Sequence, residues 1–359
     1  MNDNNNNAVS KKSPLRDLGV LLRKNIANLK PYSSARDEFS GSASVFLDAN
    51  ENPYDTGYNR YPDPYQQDVK KRIAEIKGVQ PNQIFLGNGS DEPIDLLYRA
   101  FCNPGIDNSV IMDPSYGMYT VSADINDIEI RKVLLNDDYQ IEASKLLAAA
   151  DDKSKLLFLC SPNNPTANSL DRGEIIKVIE GFDGIVVVDE AYIDFAPGTT
   201  LLADLDKYPN LVVLQTFSKA WGLAGIRLGM AFASPEIIRI LSKIKYPYNI
   251  NQLTQQRVMQ SLLNVEEKEV WVKTIIAERE KLAEELKKLS FVQKVYPSNA
   301  NFLLVKMEGA REKFEYMMNK GVIVRDRSKV ALCEGCLRIT VGSPEENREL
   351  IERLKNVQY

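Results

Sequence analysis

Histidine is absent from all 359 residues. That excludes serine–histidine triads, histidine-ligated zinc and imidazole acid–base chemistry, and it leaves lysine as the natural proton carrier. Cysteine is scarce: four in so long a chain are too few for a disulfide framework. Cys333 and Cys336 form one C-x-x-C, but a structural zinc site needs two more suitably spaced ligands. Cys102 and Cys160 lie in unrelated segments, so ordinary thiols are expected. No uninterrupted apolar run approaches the roughly 18 residues of a membrane helix. The formal net charge is only -4 with both signs interspersed, so nucleic acid is not an expected partner. Met1 to Ser10 is asparagine-rich without an apolar signal core, which reads as a disordered leader on a cytoplasmic protein.

Three segments share one form, an apolar strand running into a polar turn. Leu211-Val212-Val213-Leu214 leads to Ser218-Lys219, where desolvation disfavours the ammonium and leaves a nucleophilic amine. A lone lysine of this kind more often snorkels to solvent, so the chemical reading needs partners. Ile185-Val186-Val187-Val188 ends in Asp189, a carboxylate that is costly to bury unless a cation or donor meets it. That strand also suits the magnesium site of a nucleotide hydrolase, but the GxxxxGK(S/T) loop such enzymes require is missing. The other cation is the ring nitrogen of pyridoxal phosphate, where a carboxylate keeps the ring protonated and electron-accepting. Leu156-Leu157-Phe158-Leu159-Cys160 runs into Ser161-Pro162-Asn163-Asn164-Pro165-Thr166, at minimum a Pro/Asn turn. In a pyridoxal enzyme Asn164 would meet the ring oxygen, and Tyr192, three residues past Asp189, is placed to donate to the same atom.

A phosphate also has a seat. Gln83-Ile84-Phe85-Leu86 reads as a strand, Gly87-Asn88-Gly89 as a turn, and Ser90-Asp91-Glu92-Pro93 as the opening of a helix burying Ile94, Leu97 and Phe101. The free N–H groups and positive end of such a helix favour an anion, with the dipole contributing roughly 0.3–2 kcal/mol. The Ser218 hydroxyl and the Arg227 guanidinium are further phosphate ligands of the right type. Tyr116 can stack on a ring, or be an ordinary half-buried tyrosine.

Ser90-Asp91-Glu92, SPNNPT, VVVDEAY and TFSKAWGLAGIRLG, in this order and spacing, resemble the fold-type I pyridoxal-phosphate aminotransferases. The similarity is greater to the histidinol-phosphate aminotransferase family, from Leu29-Lys30-Pro31-Tyr32-Ser33-Ser34-Ala35-Arg36 to Gly335-Cys336-Leu337-Arg338-Ile339-Thr340-Val341-Gly342. It implies that Lys219 forms the Schiff base with the cofactor and shuttles the proton. It implies that Asp189 pairs with the ring nitrogen, Asn164 and Tyr192 with the ring oxygen, and that Tyr116 stacks. Ser90, Asp91, Ser218 and Arg227 would surround the cofactor phosphate. Tyr61 would reach the neighbouring subunit's cofactor phosphate, which implies a homodimer with shared sites. Arg338 would hold an amino acid's carboxylate, and Arg325 the phosphate of histidinol phosphate, with Tyr32 at the same substrate end. One anion pocket then takes a phosphate tail and the carboxylate of glutamate in turn.

Two residues depart from the family pattern. Ala167 stands where SPNNPT is usually followed by glycine, which strains the turn if a positive φ is needed there. Trp221 stands where phenylalanine is usual, a larger ring near Lys219.

The expected fold is α/β: a large, mostly parallel sheet flanked by helices, and a smaller α/β domain. The expected division is a disordered leader over 1–14, an N-terminal arm over 15–45 associated with the small domain, a cofactor-binding domain over 46–256, and the small domain with its linking helix over 257–359. Strand and helix are expected to alternate from about Val45 to about Ile250. A long charged helix then carries Trp271, Ile275, Leu282, Leu286 and Leu289 at helical spacing. Strands are expected over Asn301 to Met307, Gly321 to Arg325 and Leu337 to Val341, and Ser343-Pro344-Glu345-Glu346 opens the last helix as a capping box.

The expected activity is amino-group exchange between histidinol phosphate or imidazole acetol phosphate and 2-oxoglutarate or glutamate, in histidine biosynthesis. A phosphothreonine decarboxylase or a broad aromatic aminotransferase of the same fold are the alternatives. A non-catalytic cofactor-binding regulator would need a DNA-binding module that the leader is too short to supply.

Overall fold

A computed structural model of the chain describes residues 18–32 and 44–356. The strands are β1 (Ile84–Asn88), β2 (Asn108–Asp113), β3 (Glu129–Leu134), β4 (Ser154–Cys160), β5 (Ile185–Asp189), β6 (Leu211–Thr216), β7 (Leu228–Ala233), β8 (Val292–Val295), β9 (Phe302–Met307), β10 (Arg325–Asp326) and β11 (Cys336–Thr340). The first seven form one sheet in the order β1-β7-β6-β5-β4-β2-β3, and the last four a second in the order β10-β11-β9-β8.

Strands β3, β2, β4, β5 and β6 run parallel, while β7 is antiparallel to both β6 and β1. The central strands are near-continuous apolar runs because both faces are covered. Leu157, Leu159, Val186, Val188, Leu211 and Val213 enter one core. Their neighbours Leu156, Phe158, Val187, Val212 and Leu214 enter the other, under the Asp91–Phe101 and Pro235–Ile244 helices. This arrangement brings the ends of β1, β4, β5 and β6 and the start of β7 to one edge, where ligands of open α/β sheets bind.

Several expectations change at their margins. Regular alternation begins at the Gln67–Lys77 helix rather than near Val45, and β1 extends through Gly87 and Asn88, which were read as a turn. On the Val265–Lys287 helix, Leu282 and Leu286 are buried, but Trp271 is exposed and Leu289 follows the helix end. The strand expected over Gly321 to Arg325 shrinks to Arg325–Asp326, because only there does the chain pair with β11. The capping box at Ser343 forms, with reciprocal bonds to Glu346.

The leader over 1–14 lies outside the described residues, as do 15–17 and 33–43 of the arm. The described part of the arm packs on the large sheet's helices. Leu18 and Leu21 join the second core, Arg23 N donates to Ala100 O, and Lys243 Nζ donates to the carbonyls of Ile26 and Ala27.

The two sheets meet at a third apolar cluster made by Ala167, Tyr192, Phe195, Ala220, Val272, Ala300 and Phe302. Arg338 on β11 crosses this junction to donate to Asn164 Oδ1 at 2.5 Å.

Candidate active site

At the shared strand edge, Gly89, Ser90, Asp91, Tyr116, Cys160, Asn164, Asp189, Ala191, Tyr192, Thr216, Ser218, Lys219 and Arg227 line one cavity. Nine expected site residues therefore converge on a single space from six separate stretches of the chain.

Asp189 ends β5 and is 2% exposed. Its Oδ2 accepts from the Tyr119 hydroxyl at 2.7 Å and its Oδ1 from Ala191 N at 3.0 Å. Burial outweighs both bonds and pushes the carboxyl up to about 6. The adjacent Glu190 points elsewhere and is fully engaged by Thr200 Oγ1, Leu201 N and Gln215 Nε2.

Lys219 follows β6, with Nζ 5.5 Å from the centroid of the Tyr192 ring. Desolvation lowers its pKa, with the Arg338 guanidinium the next cause and Asp189 acting in the opposite direction. The amine is thus poised towards its neutral, nucleophilic form. Tyr192 is itself held neutral by burial, edge-on to Phe302.

The phosphate-seat residues form the third side. Ser90 precedes the Asp91–Phe101 helix and makes no side-chain cap bond, so it does not occupy the helix's first N–H groups. Arg227 Nη1 lies 3.4 Å from Ser218 Oγ and its Nη2 3.5 Å from Asp91 Oδ2. Ser218 Oγ is 3.0 Å from Thr216 Oγ1, and the Tyr116 hydroxyl donates to Asp91 Oδ1 at 3.1 Å. Gly89 has φ +69, and a Cβ there would meet Arg227 Nη2 at 2.6 Å; one on Gly229 would meet Gly89 C at 2.2 Å. Only glycine permits this approach of backbone and guanidinium.

Ala167 does adopt φ 70, buried beneath the Asn164 turn and held by Asn299 N donating to its carbonyl at 2.7 Å. Trp221 turns away into the first core, its ring 5.3 Å from Phe217 and 5.2 Å from Lys268 Nζ.

Tyr61, Tyr32 and Arg325 do not line this cavity. Tyr61 is exposed and stacks on Tyr248 at 4.4 Å along a separate groove. Tyr32 is exposed beside Tyr65, Lys243 and Lys245. Arg325 is exposed on β10, directly opposite Arg338. Sequence reasoning missed Tyr119, whose position three residues past Tyr116 was the available signal, and Arg327, two residues past Arg325 on the same strand path. Among the described residues no group of acids and cysteines is arranged to hold a metal ion, and all four cysteines are free. No helix there is long and apolar enough to cross a membrane.

A chain of Bacteroides fragilis YCH46 described as a histidinol-phosphate aminotransferase is 59% identical over 345 residues, covering 96% of this chain and all of that one. The histidinol-phosphate aminotransferase structure from Clostridium acetobutylicum matches with TM-score 0.77 at 23% identity, over 83% of this chain and 90% of that one. The Sinorhizobium meliloti histidinol-phosphate aminotransferase, solved with pyridoxal-5'-phosphate, matches with TM-score 0.76 at 23% identity, over 83% and 84%. The profile of aminotransferase class I and II matches residues 42–354, and the chain belongs to that family.

Proposed function

We propose that this protein transfers an amino group between L-histidinol phosphate or imidazole acetol phosphate and 2-oxoglutarate or L-glutamate, with pyridoxal 5'-phosphate as cofactor, in histidine biosynthesis. The observation that carries the reading is that the Lys219 amine and the Asp189 carboxylate, brought from two strand ends, line one cavity together with Ser90, Ser218 and Arg227. The full-length likeness to relatives named for this reaction supports the substrate.

The residues fit the cofactor. A buried carboxylate pushed up to about 6 suits a partner carrying a proton. Ser90 at the helix start, Ser218 and Arg227 line the cavity together and suit an anion there. Asp189 would hold the ring nitrogen, Asn164 and Tyr192 the ring oxygen, Tyr116 the ring face, and Ser90, Asp91, Ser218 and Arg227 the phosphate. Bound there, pyridoxal phosphate supplies an electron sink for charge released at the substrate's reacting carbon.

The chain's own residues do the rest. Lys219 anchors the cofactor and carries the proton to and from that carbon; desolvation lowers its pKa, which favours the neutral amine relative to an exposed lysine. Arg338 and Arg325 orient the substrate's anionic end. Burial of Asp189, Asn164 and Tyr192 keeps water from the ring side of the cavity.

The reading includes a homodimer in which Tyr61 reaches the neighbouring subunit's cofactor phosphate, a cytoplasmic location, and a division into a cofactor domain over 46–256 and a small domain over 257–359. The exposed tyrosines Tyr54, Tyr58 and Tyr61, close together in the chain, support the dimer, since a group of exposed rings suits a covered surface.

The test follows the cofactor's absorbance during titration with glutamate and then with histidinol phosphate. Both should convert the spectrum, and 2-oxoglutarate should reverse it. Lys219→Ala should lose at least the roughly 10²- to 10⁴-fold typical of a general acid–base group. Carbon dioxide release from phosphothreonine, or equal turnover of phenylalanine, would replace the substrate assignment, and no exchange with any donor would favour a regulator.

A further inference from the structure

Arg325 is the register partner of Arg338 across the β10–β11 ladder. Just past the two paired residues one further backbone bond reaches β11, Arg327 N donating to Cys336 O at 2.9 Å. Arg327 thus lies two positions beyond Arg325, on the same face of the extended chain. None of the three guanidinium groups has a carboxylate partner among the described residues. The side-chain bond of Arg338 goes to the Asn164 amide oxygen, and Nε of Arg327 is shut off from solvent with no acceptor. The intervening acid, Asp326, turns the other way, to Arg311 and to Ser328 N.

Burial, then Arg338, then Arg325 lower Arg327 to about 10. The groups acting in the opposite direction, Cys333 and Tyr192, are themselves pushed up by burial and stay neutral near pH 7. Three cations gathered by strand register, one with a buried donor that has no acceptor, lie beside a tyrosine that lines the Lys219 cavity, a combination that suits an anion.

We infer that Arg327 is a specificity-determining residue for the substrate's phosphate end, completing with Arg325 and Arg338 a three-cation seat matched to a phosphate dianion. The inference rests on the proposed reading that Arg338 and Arg325 hold the substrate's anion. A carboxylate offers one charge and two oxygens, which two guanidinium groups already satisfy. A phosphate monoester carries about -1.5 to -2 at pH 7 and three acceptor oxygens, so a third guanidinium has something to bind only when phosphate is present. Arg327 therefore discriminates histidinol phosphate from glutamate within one pocket.

The experiment uses the holoenzyme and its Arg327→Gln and Arg327→Lys variants. Half-saturating concentrations and maximal rates are measured for the half-reactions with histidinol phosphate and with glutamate, together with competition by inorganic phosphate against glutamate. Arg327→Gln should raise the half-saturating histidinol phosphate concentration by about 10- to 100-fold, the scale of one charge-assisted bond. Its maximal rate and its half-saturation with glutamate should stay within about 3-fold, and phosphate competition should weaken. Arg327→Lys, which keeps charge without the planar fork, should fall between. Equal losses for both substrates, an unchanged value for histidinol phosphate, or a lysine variant no better than glutamine would overturn the inference. A wild-type enzyme that reacts with glutamate but not with histidinol phosphate would overturn the proposed substrate instead. The phosphate-competition arm would then still decide whether Arg327 binds a phosphate.

Discussion

The Tyr119 hydroxyl donates to Asp189 Oδ2 over 2.7 Å, with both side chains buried between the sheet and the Met118–Ile125 helix. This bond opposes the burial that pushes the carboxyl up. Tyr119 thereby keeps Asp189 closer to the charged form that a protonated ring nitrogen needs.

Tyr119→Phe should raise the Asp189 pKa further and weaken cofactor binding. A hydrogen bond to a charged group contributes about 1.5–3 kcal/mol, so the dissociation constant of pyridoxal phosphate should rise roughly 10- to 100-fold. Equilibrium dialysis of the cofactor against both proteins checks this. Equal affinities would remove Tyr119 from the site's electrostatics.

Asp189 in the cofactor-free protein should depend on pH with a definite sign. Its folded pKa, about 6, stands above the ordinary 3.8. Its contribution to stability is therefore fully present below about pH 4 and lost as the pH rises through 6. The full loss is at most about 3 kcal/mol for a shift of this size. Asp189→Asn should make the cofactor-free protein more stable than wild type at pH 8 by about 1–3 kcal/mol, with little difference near pH 4.5, while activity disappears. Urea unfolding at both pH values measures it. A variant less stable at pH 8 would contradict the burial argument.

Arg338 should act on Lys219 at a distance. Its guanidinium is the second cause of the lysine's lowered pKa, so Arg338→Gln should move that pKa upwards. In the cofactor-free protein, the rate of Lys219 acylation against pH, with the modified peptide identified by mass, should shift its midpoint to higher pH. A stationary or falling midpoint would contradict the coupling.

Ala167 is the outcome of opposing terms. Its φ of 70 places an alanine where glycine is at ease, a cost of roughly 1–2 kcal/mol. Glycine there would relieve that cost, but would give up a buried methyl of about 0.8 kcal/mol and gain unfolded-state freedom of about 0.5–1 kcal/mol. Ala167→Gly should therefore leave stability within about 1 kcal/mol of wild type in thermal or urea unfolding. Ala167→Val should lose clearly more, because a β-branched residue cannot enter that region cheaply.

Most of the fold class could be read in the chain because its evidence is local. An apolar run on β4, β5 or β6 announces a buried strand, and the polar residue at its end marks the edge where a ligand binds. The small sheet was read less well. Val322 and Val324 look like strand, yet only Arg325–Asp326 pairs with β11, and pairing depends on a partner over ten residues away.

By itself, the sequence determined the chemistry at hand: no imidazole, one lysine after an apolar strand, one acid after another, and a glycine turn before a helix. Those choices are written in neighbouring residues and in the period of a strand. Tertiary structure supplied the partners of the two adjacent acids, since the chain's course turns Asp189 inward to Tyr119 and leaves Glu190 with Thr200 and Gln215. It alone opposed Arg325 to Arg338, brought Arg327 beside them, and carried Arg338 across to Asn164. Strand register and the meeting of two sheets bring together residues far apart in the chain, and no local pattern records such encounters.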